Sequence, residues 1–287
     1  MPAHPSAPSI AVFGLGIIGS RVADLLVAAG HKVGTWSRSP RPRPDFQSDP
    51  AALAERSHVL LCFLKDVPAV RETLAAIRPH LSPTKIFVNH ATIDLETTQL
   101  LEKECQAAGC GFLNAPFTGS KMAAQNGRLV YYAGGKTSTL EQLRPILEAS
   151  AQQIIPMESA AHATIIKLTT NLISACTVQA LAESLRLSQA HGISADTLLA
   201  AIQGNACGSV LAGMKIPSMA AEDYDPHFSL SNMLKDSRYA IDLAARAGLN
   251  TPALRCVSDQ MAALNDQGLG EFDFSILNSQ FSSDQPQ

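Results

Sequence analysis

The segment Ile10-Ala11-Val12-Phe13-Gly14-Leu15-Gly16-Ile17-Ile18-Gly19 constrains this chain more than any other. Its four leading apolar residues read as a buried strand, and the amphipathic run Ser20–Ala29, closed by Gly30, reads as a helix. Between them three glycines stand in G-x-G-x-x-G spacing. Gly14 permits a tight turn, Gly16 lets a pyrophosphate approach the backbone, and Gly19 lets helix and strand pack closely. Helix-opening N–H groups then face the phosphates, which makes Gly14, Leu15, Gly16, Ile17, Ile18 and Gly19 candidate dinucleotide contacts. A glycine-rich turn alone is a weak signal. Here the strand, the helix and a second strand all fall at the proper spacing.

The second strand, Lys32–Trp36, decides which dinucleotide. A site for NAD(H) usually carries an acid at its end, accepting from the ribose 2′-hydroxyl. This chain has Ser37, Arg38 and Ser39 there, followed by Arg41 and Arg43. A guanidinium between two hydroxyls suits a 2′-phosphate, so NADP(H) is the preferred cofactor, with NAD(H) possible. The alternative is a solvated basic loop.

Short apolar runs alternate with amphipathic ones through the first half: strands at Val59–Phe63, Ile86–Asn89, Gly111–Asn114 and Leu129–Ala133, and helices at Ala51–Arg56, Val67–Ile77, Glu96–Ala108 and Ser138–Ala149. Ile154 and Ile155 read as one last short strand. That alternation implies a parallel α/β sheet. From Ala160 to His191 neither Pro nor Gly occurs and apolar residues keep helical spacing. Helices follow at Ala195–Ile202, Ser231–Ala247 and Ala253–Asp266. The expected fold is α/β: a Rossmann-type doubly wound sheet over 10–157, then an all-helical domain over 158–287, joined by the long helix. Residues 1–9, rich in Pro, Ser and Ala, read as a disordered tail.

Composition excludes several functions. A net charge of −3 offers no basic field for nucleic acid or anionic lipid. The six cysteines form no CxxC pair, and the eight histidines form no HxxxH or mixed cluster, so no metal is expected. No apolar run reads as approaching the ~20 residues of a membrane span. A cytoplasmic protein with reduced cysteines is the expectation.

Four motifs in order resemble the β-hydroxyacid dehydrogenases, the family of 3-hydroxyisobutyrate dehydrogenase: the glycine loop, Asn114-Ala-Pro-Phe-Thr118-Gly119-Ser120, Lys167-Leu-Thr-Thr-Asn171, and Lys235-Asp236. The continuation Lys121–Val130 is most similar to the glyoxylate/succinic semialdehyde reductase branch. Thr118, Gly119 and Ser120 supply hydroxyls and turn N–H groups suited to a carboxylate, though a structural turn reads the same. The related pattern commonly has Asp, Ser and Gly where this chain has Asn114, Thr118 and Ser120, and glycines where it has Ala160, Ala161 and His162. Lys167 and Asn171, four apart, lie on one helix face. The resemblance implies that Lys167 is the catalytic proton donor, that Asn171 binds substrate, and that Lys235 touches substrate or cofactor. It places Leu64, Lys65 and Thr92 along the cofactor. Phe228 and Asp273 fall in a weaker C-terminal signature.

The implied reaction is NADPH-dependent reduction of a small aldehyde or 2-oxo acid carrying a carboxylate. Oxidation of 3-hydroxyisobutyrate or another 3-hydroxy acid is the runner-up. An imine reductase and a non-catalytic dinucleotide-binding module are more distant readings. A homodimer or tetramer is expected, since the long apolar helix needs cover.

Overall fold

A computed structural model of the chain describes residues 9–281. The expected tail lies outside them except for Ser9, which is held: its hydroxyl donates to the Arg56 carbonyl at 2.7 Å. The chain divides after Lys167 into two compact units.

The first unit runs β1 (Ile10–Phe13), α1 (Ile17–Ala28), β2 (Val33–Trp36), α2 (Pro50–Arg56), β3 (Val59–Cys62), α3 (Val67–Ile77), β4 (Ile86–Asn89), α4 (Leu95–Ala107) and β5 (Gly111–Asn114). It continues with β6 (Phe117–Thr118), α5 (Lys121–Gln125), β7 (Leu129–Gly135), α6 (Thr137–Glu148) and β8 (Ala151–Met157), and ends in the first turns of α7 (Ala160–Ala190). Strands β2, β1, β3, β4 and β5 lie side by side and parallel. Beyond β2 a parallel bridge between Thr35 and Phe46 adds a rudimentary strand. With it, the order matches that of a dinucleotide-binding sheet.

Alternate residues of the strands face opposite cores. Ile10, Val12, Leu61, Val88 and Leu113 pack on one side, while Ala11, Phe13, Leu60, Cys62 and Phe87 pack on the other. Burial on both faces is why these strands read as continuous apolar runs. Their register aligns Trp36, Phe13, Cys62, Asn89 and Asn114 in one row, so the carboxyl ends finish together.

Three expectations for this unit need correction. The sheet is mixed: β7 pairs antiparallel with β5 and β6 and parallel with β8. The last strand is seven residues, not two, because pairing with β7 starts at Ala151 and, past a register shift that leaves Gln152 without a β7 partner, takes in the exposed Gln153. The first helix opens at Ile17 rather than Ser20, since Gly16 acts as its N-cap without any side-chain bond.

The second unit continues α7 and adds α8 (Ala195–Gln203), α9 (Val210–Ala220), α10 (Leu230–Arg246) and α11 (Pro252–Leu264). Leu168, Ala175 and Val178 of α7 pack with Leu230, Met233 and Leu234 of α10 and Leu254, Val257 and Met261 of α11. Farther along, Leu181, Ala182 and Leu185 meet Ala212, Ile216 and Met219 of α9. Sequence pattern does not anticipate α9, whose Gly213 and Pro217 read as breakers. The apolar character of α7 is also stronger than expected. By length and composition alone it could cross a membrane. Its buried residues fill these cores.

Candidate active site

The glycine loop leaves β1 at Phe13, and its three glycines are not equivalent. Gly14 has φ +104°, and a Cβ there would lie 2.2 Å from the Phe63 carbonyl oxygen. A Cβ on Gly19 would lie 2.0 Å from the Gly14 carbonyl oxygen. Packing therefore demands both. Gly16 has nothing within 4 Å of the same position. Its bare Cα faces open space at the N-terminus of α1, where a pyrophosphate can approach the first-turn N–H groups. The loop fits a dinucleotide. Leu15 is buried and Ile17 exposed. Leu64, just past β3, has its Cδ2 3.2 Å from that hypothetical Gly14 Cβ, which puts it against the loop, whereas Lys65 is exposed.

Past β2, the Ser37 hydroxyl donates to the Ser39 carbonyl at 2.7 Å, bending the loop around exposed Arg38. Arg41 is exposed as well, but Arg43 is spoken for. Its guanidinium forks onto Asp45 at 2.9 and 3.1 Å and reaches Asp24 of α1 at 2.7 Å. Arg43 thus ties the loop to the helix that follows the glycines.

Farther along the same edge, Thr92 is half-buried and Thr118 exposed at the end of β6. Gly119 takes φ +144°, and the Ser120 hydroxyl accepts from the Ala123 N–H at 3.2 Å as the N-cap of α5. Ser120 therefore has a structural duty in addition to its proposed one. His90 is buried and stacked on Phe63 with ring centroids 4.2 Å apart. Burial pushes its pKa down to about 4 against the opposing bond to the Ala115 carbonyl, so it is neutral at pH 7. Burial likewise pushes the Cys62 thiol up to about 12, which removes it as a nucleophile.

Asn89 and Asn114, opposite one another at the ends of β4 and β5, are fully buried and bonded at 2.8 Å. Asn114 also donates to Ala160 and Thr164 in the opening turns of α7, at 2.9 and 2.8 Å. Lys167, three residues past Thr164, is buried at 7% exposure.

In the helical unit the Asn171 amide donates to Asp236 Oδ2 at 2.7 Å, and the Lys235 ammonium reaches Asp236 Oδ1 at 2.5 Å. Asp236 orients both and was not among the expected site residues. Its signal was present: an acid flanked by Met233, Leu234 and Ser237 of the buried α10 stripe. Asp273, by contrast, is a structural hub. It accepts from Lys215 Nζ at 2.5 Å, from the Ser275 hydroxyl and N–H, and from the His227 and Phe228 N–H groups. Burial alone would raise its carboxyl, but Lys215 and Ser275 hold it below its ordinary value.

Comparison with known proteins agrees across both units. Residues 9–159 match the NAD binding domain of 6-phosphogluconate dehydrogenase, and residues 161–279 match the NAD-binding family of NADP-dependent 3-hydroxyisobutyrate dehydrogenase. A probable 3-hydroxyisobutyrate dehydrogenase of Mycobacterium tuberculosis is 30% identical over 259 residues, covering 85% of this chain and 88% of its own. The chain belongs to the β-hydroxyacid dehydrogenase family. Another relative, glyoxylate/succinic semialdehyde reductase 1 of Arabidopsis thaliana, is 25% identical over 93% of this chain and 96% of its own. The solved structure of Mycobacterium tuberculosis 3-hydroxyisobutyrate dehydrogenase with L-serine superposes with a TM-score of 0.86 at 25% identity, over 96% of this chain and 100% of that one. Like its family, the chain is an NAD(P)-dependent oxidoreductase of the hydroxyacid dehydrogenase and reductase class.

Proposed function

We propose that this chain is an NADPH-linked reductase of a small carboxylate-bearing aldehyde or 2-oxo acid, of the glyoxylate or succinic semialdehyde type. The observation that carries it is Lys167, a buried lysine held just beyond a fully paired anchor on the sheet. A nicotinamide dinucleotide held at the Gly14, Gly16 and Gly19 loop would supply the hydride for the carbonyl carbon. The Lys167 ammonium gives a proton to the carbonyl oxygen, and in the oxidative direction neutral Lys167 takes it back. Thr118, Gly119 and Ser120 hold the substrate carboxylate. The Ser120 hydroxyl, already accepting from Ala123, keeps its proton to donate. Asp236 orients Asn171 and Lys235 as substrate contacts.

NADPH preference is supported by exposed Arg38 and Arg41 and by the engagement of Asp24 and Asp45 with Arg43. The deciding experiment is steady-state turnover of an aldehyde and oxo-acid panel with NADPH and with NADH. Lys167→Ala is expected to lose about 10²–10⁴-fold in turnover while still binding NADPH. Arg38→Ala is expected to raise the KM for NADPH by about tenfold or more and leave that for NADH alone. Turnover of Lys167→Ala near wild type, or a wild-type preference for NADH, overturns the respective assignment.

The second reading is oxidation of a 3-hydroxy acid. It is favoured by the 30% identical relative and by the L-serine, itself a 3-hydroxy acid, that accompanies the related Mycobacterium tuberculosis structure. Faster turnover of 3-hydroxyisobutyrate or L-serine with NAD(P)+ than of any aldehyde with NADPH would decide for it.

A further inference from the structure

A chain of four buried neutral side chains runs under the start of α7, and its hydrogens can be assigned from end to end. Asn89 Nδ2 donates to the Ala91 carbonyl at 3.0 Å and to Asn114 Oδ1 at 2.8 Å, while its Oδ1 accepts from the Ala91 N–H at 3.2 Å. Asn114 Nδ2 spends both hydrogens on α7, one on the Ala160 carbonyl and one on Thr164 Oγ1. The Thr164 hydroxyl lies 2.8 Å from that of Thr98, which in turn reaches the Asp94 carbonyl at 3.1 Å. The Ala91, Ala160 and Asp94 carbonyls can only accept. Every amide orientation and hydroxyl proton between them is thereby fixed: Asn89 to Asn114, Asn114 to Thr164, Thr164 to Thr98, Thr98 to Asp94.

We infer that Asn114 and Thr164 are positioning residues that set the register of α7 and so place the Lys167 ammonium. Asn114 grips the backbone of the helix at Ala160 and a side chain one turn on at Thr164, which restricts both rotation and sliding. The sheet lets the helix come this close at Gly134, beside Asn114 in register, where a Cβ would lie 2.1 Å from the Ser159 carbonyl oxygen. Ser159 caps the same turn by accepting from the His162 N–H at 3.1 Å. Thr164 and Lys167, three apart, share a helix face. An aspartate at position 114 would turn an oxygen toward the Ala160 carbonyl unless protonated. The asparagine supplies a donor to each of these two acceptors, which an ionised aspartate does not.

This inference rests on Lys167 as proton donor, and the experiment separates the two. Thr164→Val keeps the volume and removes the acceptor, Thr164→Ser restores it, and Asn114→Asp replaces donors with an ionisable acid. Each is measured for kcat across pH, for KM, and for NADPH affinity by fluorescence, with Lys167→Ala alongside. Thr164→Val is expected to lose about tenfold to a hundredfold in kcat, with NADPH affinity held within about twofold. Thr164→Ser recovers most of that loss. For Asn114→Asp, kcat relative to wild type should rise as pH falls, because protonation returns one donor and burial favours the neutral acid. Should Asn114→Asp yield no folded protein, the Thr164 pair decides alone. If Lys167→Ala is inactive but Thr164→Val keeps wild-type kcat, the positioning inference falls by itself. If Lys167→Ala stays active, the assignment of Lys167 falls and this inference with it.

Discussion

The two units bury polar groups in different ways. Among the described residues, the buried carboxylates Asp236 and Asp273 belong to the helical unit, each within 2.5 Å of a lysine. Around the strand ends of the nucleotide-binding unit, the buried polar residues Asn89, His90, Thr98, Asn114 and Thr164 are all neutral at pH 7. Even its buried Lys85 is met by the Ala54, Glu55 and Ser57 carbonyls rather than by an acid. The lesson is electrostatic. A sheet edge that receives a pyrophosphate gains from keeping fixed negative charge out of its interior, where screening is weakest. The helical unit has no such restriction on its core.

Substitutions at these groups should rank accordingly. Asp273→Ala leaves Lys215 buried and uncompensated, and should cost about 3–5 kcal/mol in urea unfolding. Replacing both partners with apolar residues should cost much less; equal losses would break the contrast. Next comes acid. The folded pKa of His90 is lowered to about 4, so its neutral form contributes stability above 6.5 that is lost as pH falls from 6.5 toward 4. The loss should be roughly 3 kcal/mol, and His90→Gln, which keeps a donor for Ala115, should flatten that part of the profile. Asn114→Ala should cost about 1–3 kcal/mol, since unmet neutral partners are less costly than an unmet charge. Smallest is Asp24→Ala: its carboxylate is 64% exposed, and the loss should stay below about 1 kcal/mol.

Much of the nucleotide-binding unit was legible because its parallel strands are buried on both faces. β1, β4 and β5 appear as the apolar runs that they are, and the glycine spacing marks the turn. Strand direction has no such signature. Nothing in Leu129–Gly135 announces that β7 runs antiparallel to β5, and polar Gln152 and Gln153 concealed most of β8. Pro217 and Gly213 concealed α9 because their local preference opposes a helix that tertiary packing sustains. In the site, residues acting through local backbone, such as Gly14 and Gly19, could be read directly. The Asn89–Asn114–Thr164 chain could not, since its members stand 25 and 50 residues apart and meet only after the sheet forms. Asp236 was readable from the α10 stripe, but the lysine beside it carries the more conspicuous chemistry.

The clasp of Arg43 on Asp45 and Asp24 has a consequence for ionic strength. Both contacts to Asp45 are partly buried, so the bend of the loop should survive added salt. Arg38 and Arg41 stand in solvent, and their attraction for a phosphate is screened over about 8 Å at physiological ionic strength. Salt should therefore leave the loop in shape while dulling its reading of charge. Under the proposed preference, the ratio of NADPH to NADH affinity becomes a property of the buffer as much as of the protein.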